Sequence, residues 1–160
     1  MSNADPRLLE GEMPFTTGRA RFYDHERPGE QDPRIYIEVD FGLGGTFLAM
    51  LDTGAPWCIV RSDLANEIGL TIDPAGDFVN LSIRGNLRRG QLQKHPITIL
   101  ADEGESLEVN GTFYVIDDHW AGPNFIGYGG LLQWTRFAVD PTRNLFYFGS
   151  AQVGAGTAYS

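Results

Sequence analysis

The sequence predicts an all-β domain that carries one or two short helices. The chain of 160 residues contains 20 glycines and 9 prolines, which favours short strands joined by tight turns over long helices. Several segments alternate apolar and polar residues, the period-two pattern of a strand with one buried face. A composition of 42% hydrophobic and 21% charged residues is that of a globular protein. A chain of this length is expected to form one domain, with or without a tail.

The chain divides into three predicted parts. Residues 1–33 are polar and rich in proline, so we expect an N-terminal arm that is partly irregular and has one short strand at 19–23. Residues 34–150 contain the strong strand patterns and form the predicted domain. Residues 151–160 are expected to form a C-terminal tail.

The clearest pattern is a hairpin formed by residues 35–41 and 46–51. Apolar and polar residues alternate in its first strand, which predicts one buried face. The turn Gly-Leu-Gly-Gly at 42–45 contains glycines that tolerate positive φ. The second strand is apolar on both faces and should be central in the sheet. It ends directly before Asp52.

The remaining elements are predicted from capping and turn signals. Residues 61–69 should form a short helix that Ser62 caps and Gly69 ends. Turns are expected in the glycine-containing segment 85–90 and at Asn110-Gly111, a strong hairpin signal. The strands that these turns and the last loop connect are predicted at 78–83, 91–100, 107–109, 112–116, 137–139 and 145–148.

Charge and cysteine content exclude several classes of function. With 12 basic and 21 acidic residues the net charge is −9, and such a surface repels nucleic-acid phosphates and anionic membranes. No apolar run approaches the length that spans a membrane. The single cysteine, Cys58, allows neither an internal disulfide framework nor a cysteine-built zinc site. Together with the absence of a secretory signal pattern at residue 1, this favours a cytoplasmic protein.

Two groups of reactive side chains are interpreted as structural. Cys58 precedes Ile59 and Val60 and has no histidine in a partnering motif, so a small core residue is favoured over a nucleophile. The run Asp-Asp-His at 117–119 has no ligand spacing with the other histidines and is favoured as a polar loop. No metal site is therefore predicted.

Asp52 is the leading candidate for chemistry. A carboxylate at the end of a buried apolar strand is costly unless it is hydrogen-bonded or has a function. Thr53 offers a hydroxyl nearby, and Gly54 lets the backbone turn close to the carboxylate. The residues alone leave two readings open, a functional acid and an Asx-type turn that ends a hairpin.

Two longer stretches place this tripeptide in a family context. The first is FLAMLDTGAPWCIV at 47–60, followed by the helical segment SDLANEIGL at 62–70. The second is NFIGYGGLLQWTRFAVD at 124–140. Together they resemble the retropepsin-like aspartic proteases, the single-lobed proteases related to retroviral ones, over roughly residues 34–149. The resemblance implies their fold, a closed β-barrel with one or two short helices.

The resemblance also implies an aspartic endopeptidase that works as a homodimer. The family mechanism needs two aspartates, whereas Asp-Thr-Gly occurs once here, so Asp52 of each subunit would meet at a two-fold axis. The two carboxyl groups would share a proton and activate a water molecule that attacks a peptide bond. By the same resemblance, Thr53 would bridge the two loops and Gly54 would lie near the substrate backbone. The substrate would be a peptide or protein, and no cofactor is required.

The stretch LSIRGNLRRGQLQKH at 81–95 falls where a flap hairpin would cover a substrate. The expected substrate-binding residues are Arg84, Gly85 and Arg88 of this flap, together with Ala55 and Trp57 of the loop. If it is a flap, its basic residues should favour acidic substrate side chains. Replacing Arg88 and Arg89 by glutamine should then selectively weaken the cleavage of acidic peptides. The other reading is a solvated hairpin whose charges protect a sheet edge.

Two further interpretations of the chain stay open. One is a catalytically inactive module with the retropepsin fold, for dimerisation or peptide binding. Pro56, which has no N–H to donate to a substrate backbone, favours this reading, as does Gly129, where the family usually has Asp or Asn. The other is a small β-barrel binding domain in which Asp-Thr-Gly is only a turn.

Overall fold

The computed structural model describes residues 7–151 of the chain. Within this range it contains twelve strands, one α-helix and one short 3-10 helix. In chain order they are β1 (Leu9–Glu10), β2 (Met13–Pro14), β3 (Gly18–Arg21), β4 (Tyr36–Asp40), β5 (Phe47–Asp52), α1 (Ser62–Glu67), β6 (Val79–Ile83), β7 (Asn86–Ile99), β8 (Glu103–Gly104), β9 (Leu107–Ile116), β10 (Phe125–Gly127), the 3-10 helix (Leu132–Trp134), β11 (Thr135–Asp140) and β12 (Leu145–Ser150). The predicted all-β class is confirmed.

The strands form three sheets. A six-stranded sheet has the order β10-β5-β4-β7-β6, with β9 paired to β7. A four-stranded sheet has the order β11-β12-β3-β8, and β1 pairs with β2. All of these pairs are antiparallel except β10 with β5, which is parallel. The ladders among the described residues form open sheets, so the closed barrel stays a prediction at this point.

The main hydrophobic core contains residues from both larger sheets and from α1. A second, smaller cluster contains Tyr36, Met50, Ile59 and Phe125 and is packed against the β6 strand. Apolar side chains at alternate positions of β4 supply the first cluster, as the period-two pattern predicts. The prediction of only one buried face is wrong at Tyr36, which is 4% exposed, because the second cluster covers the other side of β4.

The hairpin of β4 and β5 forms as predicted. Gly42 and Gly44 adopt positive φ angles of 91° and 72° in its turn. The Oδ1 atom of Asp40 accepts the backbone N–H groups of Gly42 and Leu43 at 2.9 and 3.1 Å. This short hairpin fixes where β5 ends, and therefore where Asp52 lies.

The helix α1 is shorter than predicted and is capped differently. The Ser62 hydroxyl accepts the backbone N–H of Trp120 at 2.7 Å and makes no capping bond to the helix, so the predicted cap is wrong. Gly69 ends the helical segment with a φ of 80°, as predicted. Ser62 thus ties α1 to the loop that precedes β10.

Two predicted turns are wrong because a long antiparallel ladder includes them. β9 runs through Asn110 and Gly111 without turning, since residues 90–99 of β7 pair with all ten of its residues. Gly90 likewise lies inside β7, where it pairs with Val79 on one side and Ile116 on the other. The turn between β6 and β7 is only Arg84-Gly85. A turn signal reflects only the local preference of a few residues, and here the backbone pairing with a long neighbouring strand overrides that preference.

The chain ends are only partly described. β3 pairs with β12, and Ala20 and Phe22 are buried in the main core, so this part of the predicted arm packs on the domain. The last predicted strand pair forms as β11 and β12. The boundary at residue 34 stays a prediction. Residues 1–6 and 152–160, which include nearly all of the predicted tail, lie outside the described residues.

Candidate active site

Asp52 is the last residue of β5 and lies beside the parallel strand β10, where its register partner is Gly127. Its Oδ1 atom accepts the backbone N–H of Gly54 at 3.0 Å, and its carbonyl oxygen accepts that of Ala55 at 3.1 Å. Within residues 7–151, the bond from Gly54 is the one hydrogen bond that the carboxylate accepts. Half-buried Asp52 therefore has a fixed position and retains most of its capacity to accept hydrogen bonds.

The segment after β10 supports the loop that follows Asp52. The backbone N–H of Tyr128 donates to the carbonyl oxygen of Ala55 at 2.8 Å. A Cβ atom at Gly127 would overlap the carbonyl oxygens of Ala55 and Trp57. Only glycine allows the two backbones to approach this closely, so the loop and β10 form one unit.

A cavity of about 310 Å³ lies next to Asp52. One wall is the loop after β5, and the other is the end of β6 with its turn. The buried side chains of Met50, Ile59 and Phe125, which belong to the second hydrophobic cluster, also line it. The complete lining is Arg34, Met50, Asp52, Gly54, Ala55, Pro56, Trp57, Ile59, Leu81, Ser82, Ile83, Arg84 and Phe125. A carboxylate at the side of a cavity that combines apolar side chains with a few charged groups is the usual form of a small binding or catalytic site.

The structure brings together most of the predicted site residues. Asp52, Gly54, Ala55, Trp57 and Arg84 all line the cavity. Three others do not line it. Thr53 is exposed at the tip of the loop, Gly85 occupies the β6–β7 turn with a φ of 78°, and Arg88 donates from Nη1 to Oδ2 of Asp118 at 3.1 Å.

The β6–β7 hairpin lies where the flap was expected. Arg84 at its turn has a φ of 52°, and its guanidinium carbon lies 5.9 Å from the ring centroids of both Trp120 and Phe125. The hydroxyl of Tyr114 donates to the carbonyl oxygen of Val79 at 2.7 Å and lies 3.0 Å from that of Arg88. The hairpin is therefore attached both at its turn and at its base, with the cavity beneath the turn.

Outside the predicted loop and flap, sequence reasoning missed four residues of the cavity wall: Arg34, Met50, Ile59 and Phe125. Met50 precedes Asp52 by two residues and therefore lies on the same face of β5, a signal that could have found it. Phe125 is the register partner of Met50 in β10. Arg34 gave no such signal, because it lies outside β4 and next to a proline.

The structure also describes the other reactive side chains. Cys58 is completely buried, and burial raises the pKa of its thiol to about 12, which favours the core residue over a nucleophile. Asp117 and Asp118 form ion pairs with Arg89 and Arg88. In the described part of the chain, no three His, Cys, Asp or Glu residues are arranged to hold a metal ion. No helix of residues 7–151 is long and apolar enough to cross a membrane.

Comparison with known proteins identifies the fold. No family model and no curated protein sequence matches the chain. Among solved structures, a retropepsin-like aspartic protease from Rickettsia conorii is similar over 81% of this chain and 98% of its own, with 17% identity and a TM-score of 0.53. The retroviral protease-like domain of Ddi1 from Leishmania major matches 78% of this chain and 99% of its own, with 17% identity and a TM-score of 0.45. The resemblance predicted from the sequence is thus confirmed for the fold: the chain folds like a retropepsin-like aspartic protease.

Proposed function

We propose that the protein is an aspartic endopeptidase that hydrolyses peptide bonds with a water molecule held between the Asp52 carboxyl groups of two subunits. One observation carries this proposal: the Asp52 carboxylate, with a single hydrogen bond inside the described chain, lies in the wall of a cavity beneath a hairpin. Such a cavity accommodates side chains of an extended peptide, and the hairpin shields the reacting bond from bulk water.

The mechanism follows from two nearby carboxyl groups that share one proton. The ionised Asp52 takes a proton from the water molecule, whose oxygen attacks the carbonyl carbon of the peptide bond. The protonated Asp52 donates a hydrogen bond to the carbonyl oxygen, on which negative charge develops. The tetrahedral intermediate then collapses, the C–N bond breaks, and the leaving nitrogen accepts a proton from a carboxyl group.

The second carboxyl group must come from a second copy of the chain, because Asp-Thr-Gly occurs once in the sequence. The loop tip is suited to this contact, since Thr53 and Gly54 are exposed. Next to it, Tyr128 is 52% exposed although it is a large aromatic residue. Tyrosine is enriched at protein interfaces, which makes Tyr128 a candidate for this contact. The interface would be isologous, with the same loop on both sides of the two-fold axis.

The strand pairing supports the closed barrel as part of this proposal. The sheet order leads from β10 through β5, β4 and β7 to β9. The segment after the Asp-Thr-Gly loop connects the two ends, because Cys58 bridges to Phe113 of β9 and Ile59 to Phe125 of β10. These two single-residue bridges are what a closed barrel would require.

The experiment is a cleavage assay on an unfolded protein at mildly acidic pH, with the wild type, Asp52→Asn and Asp140→Asn. We expect cleavage by the wild type, a loss of roughly a thousandfold or more in Asp52→Asn, and unchanged cleavage by Asp140→Asn. Sedimentation of each protein measures the oligomeric state.

The outcomes separate the proposal from its rivals. A dimer that never cleaves would identify an inactive module, which the absence of an N–H at Pro56 favours. A stable monomer without activity would make Asp-Thr-Gly a turn in a binding domain. Cleavage that survives Asp52→Asn would exclude the proposed catalytic residue.

A further inference from the structure

We propose that Arg34 and Arg84 form a subsite for an acidic side chain of the bound peptide, an inference that rests on the proposed function for its peptide ligand. Both residues line the cavity that contains Asp52. They come from different elements, since Arg34 directly precedes the residues of β4 and Arg84 occupies the β6–β7 turn.

Besides lining the same cavity, the two arginines act on a common neighbour, Tyr36. Burial raises the pKa of the Tyr36 phenol, and Glu30 and Glu26 raise it further, while Arg34 and Arg84 each act to lower it. Both guanidinium groups therefore lie within electrostatic range of the same side chain. The two glutamates belong to the loop before β4, and neither lines the cavity.

Both arginines lack a carboxylate partner. Other arginines, such as Arg19, form ion pairs with Asp or Glu, whereas within residues 7–151 neither Arg34 nor Arg84 does. Arg34 donates from Nη1 to the carbonyl oxygen of Pro33 at 3.3 Å. Both charges therefore stay available at one cavity of a chain whose net charge is −9. Asp52 is the one carboxylate in the cavity lining.

Arg84 is held in place without using its hydrogen-bonding capacity. Its guanidinium lies 5.9 Å from the ring centroids of Trp120 and Phe125, within the range of cation–π attraction. This contact restrains the side chain while its N–H groups stay available. A guanidinium presents these groups in a planar fork that matches a carboxylate, so a Glu or Asp side chain of a peptide is the complementary ligand.

The basic residues further along the flap are not equivalent to Arg84. Arg88 and Arg89 lie in the same hairpin but form ion pairs with Asp118 and Asp117, and neither lines the cavity. The preference for acidic side chains that the sequence suggested for the whole flap is therefore assigned to Arg84 and Arg34.

The test uses two sets of short neutral peptides in which one Glu, or one Gln, is moved through every position. Cleavage is measured with the wild type, and binding is measured by fluorescence anisotropy with Asp52→Asn, which keeps the cavity but is not expected to cleave. At one or two positions we expect Glu peptides to be bound and cleaved roughly fivefold better than their Gln partners, the scale of a partly exposed charge pair. The preference should weaken between about 0.05 M and about 0.5 M salt.

Substitutions then locate the cations responsible. Arg34→Gln and Arg84→Gln should each reduce the Glu preference, and the double variant should remove it. Arg84→Lys keeps the charge and should retain part of it. The matched control is Arg136→Gln, because Arg136 also lies over an aromatic ring, that of Phe15 at 5.6 Å, but lines no part of the cavity. Melting curves establish that each variant is folded.

The outcomes also distinguish this inference from the proposed function. The subsite is overturned if Glu and Gln peptides bind equally well at every position, or if the Glu preference survives in the double variant. This holds whether or not the protein cleaves. No binding of any peptide overturns it as well. If Glu peptides bind in an arginine-dependent manner but no peptide is cleaved, the subsite stands and the endopeptidase proposal fails.

Discussion

Asp52 and Asp140 occupy the same position in two different strands, since each is the last residue before a turn. Asp140 uses both carboxylate oxygens: Oδ1 accepts the N–H and the hydroxyl of Thr142 at 3.0 and 2.6 Å, and Oδ2 accepts Nε of Arg143 at 2.7 Å. These bonds, first from Thr142 and then from Arg143, lower the pKa of Asp140 to about 2. Asp52 accepts one hydrogen bond, from Gly54, and borders a cavity.

The difference shows how a turn aspartate is told apart from a candidate catalytic one. Asp140 stabilises its own turn and has little capacity left for a ligand. The Asp52 carboxylate makes one bond to its loop, which is also held by close backbone contact with β10. The bond that Oδ1 of Asp52 accepts from Gly54 has the spacing of an Asx-type turn, so the turn reading stays open, and mutations at both aspartates can test it.

Gly127→Ala should have the largest effect, a loss of stability, because Gly127 lets β10 pack closely against the loop that follows Asp52. The new Cβ atom would overlap the carbonyl oxygens of Ala55 and Trp57, and we expect a loss of about 3 kcal/mol in the free energy of unfolding. Chemical denaturation measures it. Gly45→Ala is the control, since its Cβ would meet nothing nearer than the Phe47 ring at 3.6 Å. Equal stability of the two variants would contradict the close packing of loop and strand.

Mixing wild type with Asp52→Asn tests whether each chain supplies half of the active site. With a tenfold excess of the variant and free exchange of subunits, about one wild-type chain in eleven keeps a wild-type partner, so cleavage should fall roughly tenfold. The same excess of Asp140→Asn should leave the rate per wild-type chain undiminished. Activity that is insensitive to the Asp52 variant would show that one chain is sufficient.

Thr53→Val should weaken the dimer and leave the stability of the single subunit unchanged. The Thr53 side chain is exposed and has no hydrogen-bond partner within residues 7–151, so its loss leaves the isolated chain nearly unchanged. A bridging hydroxyl in the dimer would contribute about 1 kcal/mol, or about a fivefold shift in the dissociation constant by sedimentation. A lowered melting temperature of the monomer would assign Thr53 a local structural role.

Asp140→Asn should have the smallest effect, a decrease in melting temperature that depends on pH. The pKa of Asp140 is lower in the folded chain, about 2, than its ordinary value of 3.8. Its stabilisation is therefore present above about pH 4 and is lost as the pH falls toward 2. The difference in melting temperature between wild type and variant should shrink over this range. A difference that stays constant would mean that the charge of Asp140 does not stabilise the turn.

The sequence predicted the central hairpin and Asp52 because both depend on local patterns. Alternation defines β4, and an apolar strand followed by Asp-Thr-Gly defines the end of β5. The turn predicted at Asn110-Gly111 does not form, because pairing with β7, a strand distant in sequence, keeps β9 extended there. Tyr36 looked like an exposed position, although a second cluster from several other segments buries it.

The cavity wall could be predicted only in part for the same reason. Ala55 and Trp57 follow Asp52 directly, so the loop identified them. Arg34 joins the site because the end of β6 folds over the region where β4 begins, a juxtaposition that no local pattern contains. Arg88 belongs to the predicted flap, but its strand position directs it to Asp118.

The position of Gly90 divides β7 into two parts with different neighbours. Residues 86–89 pair with β6, whereas residues 91–99 lie in the ladder with β9. Local opening of the hairpin therefore requires no break in the ladder that holds the core. Amide hydrogens of 86–89 should exchange with deuterium well before those of 91–99, in a separate cooperative step. Removing the Tyr114 hydroxyl, which contacts the base of the hairpin, should speed the first step and leave the second unchanged.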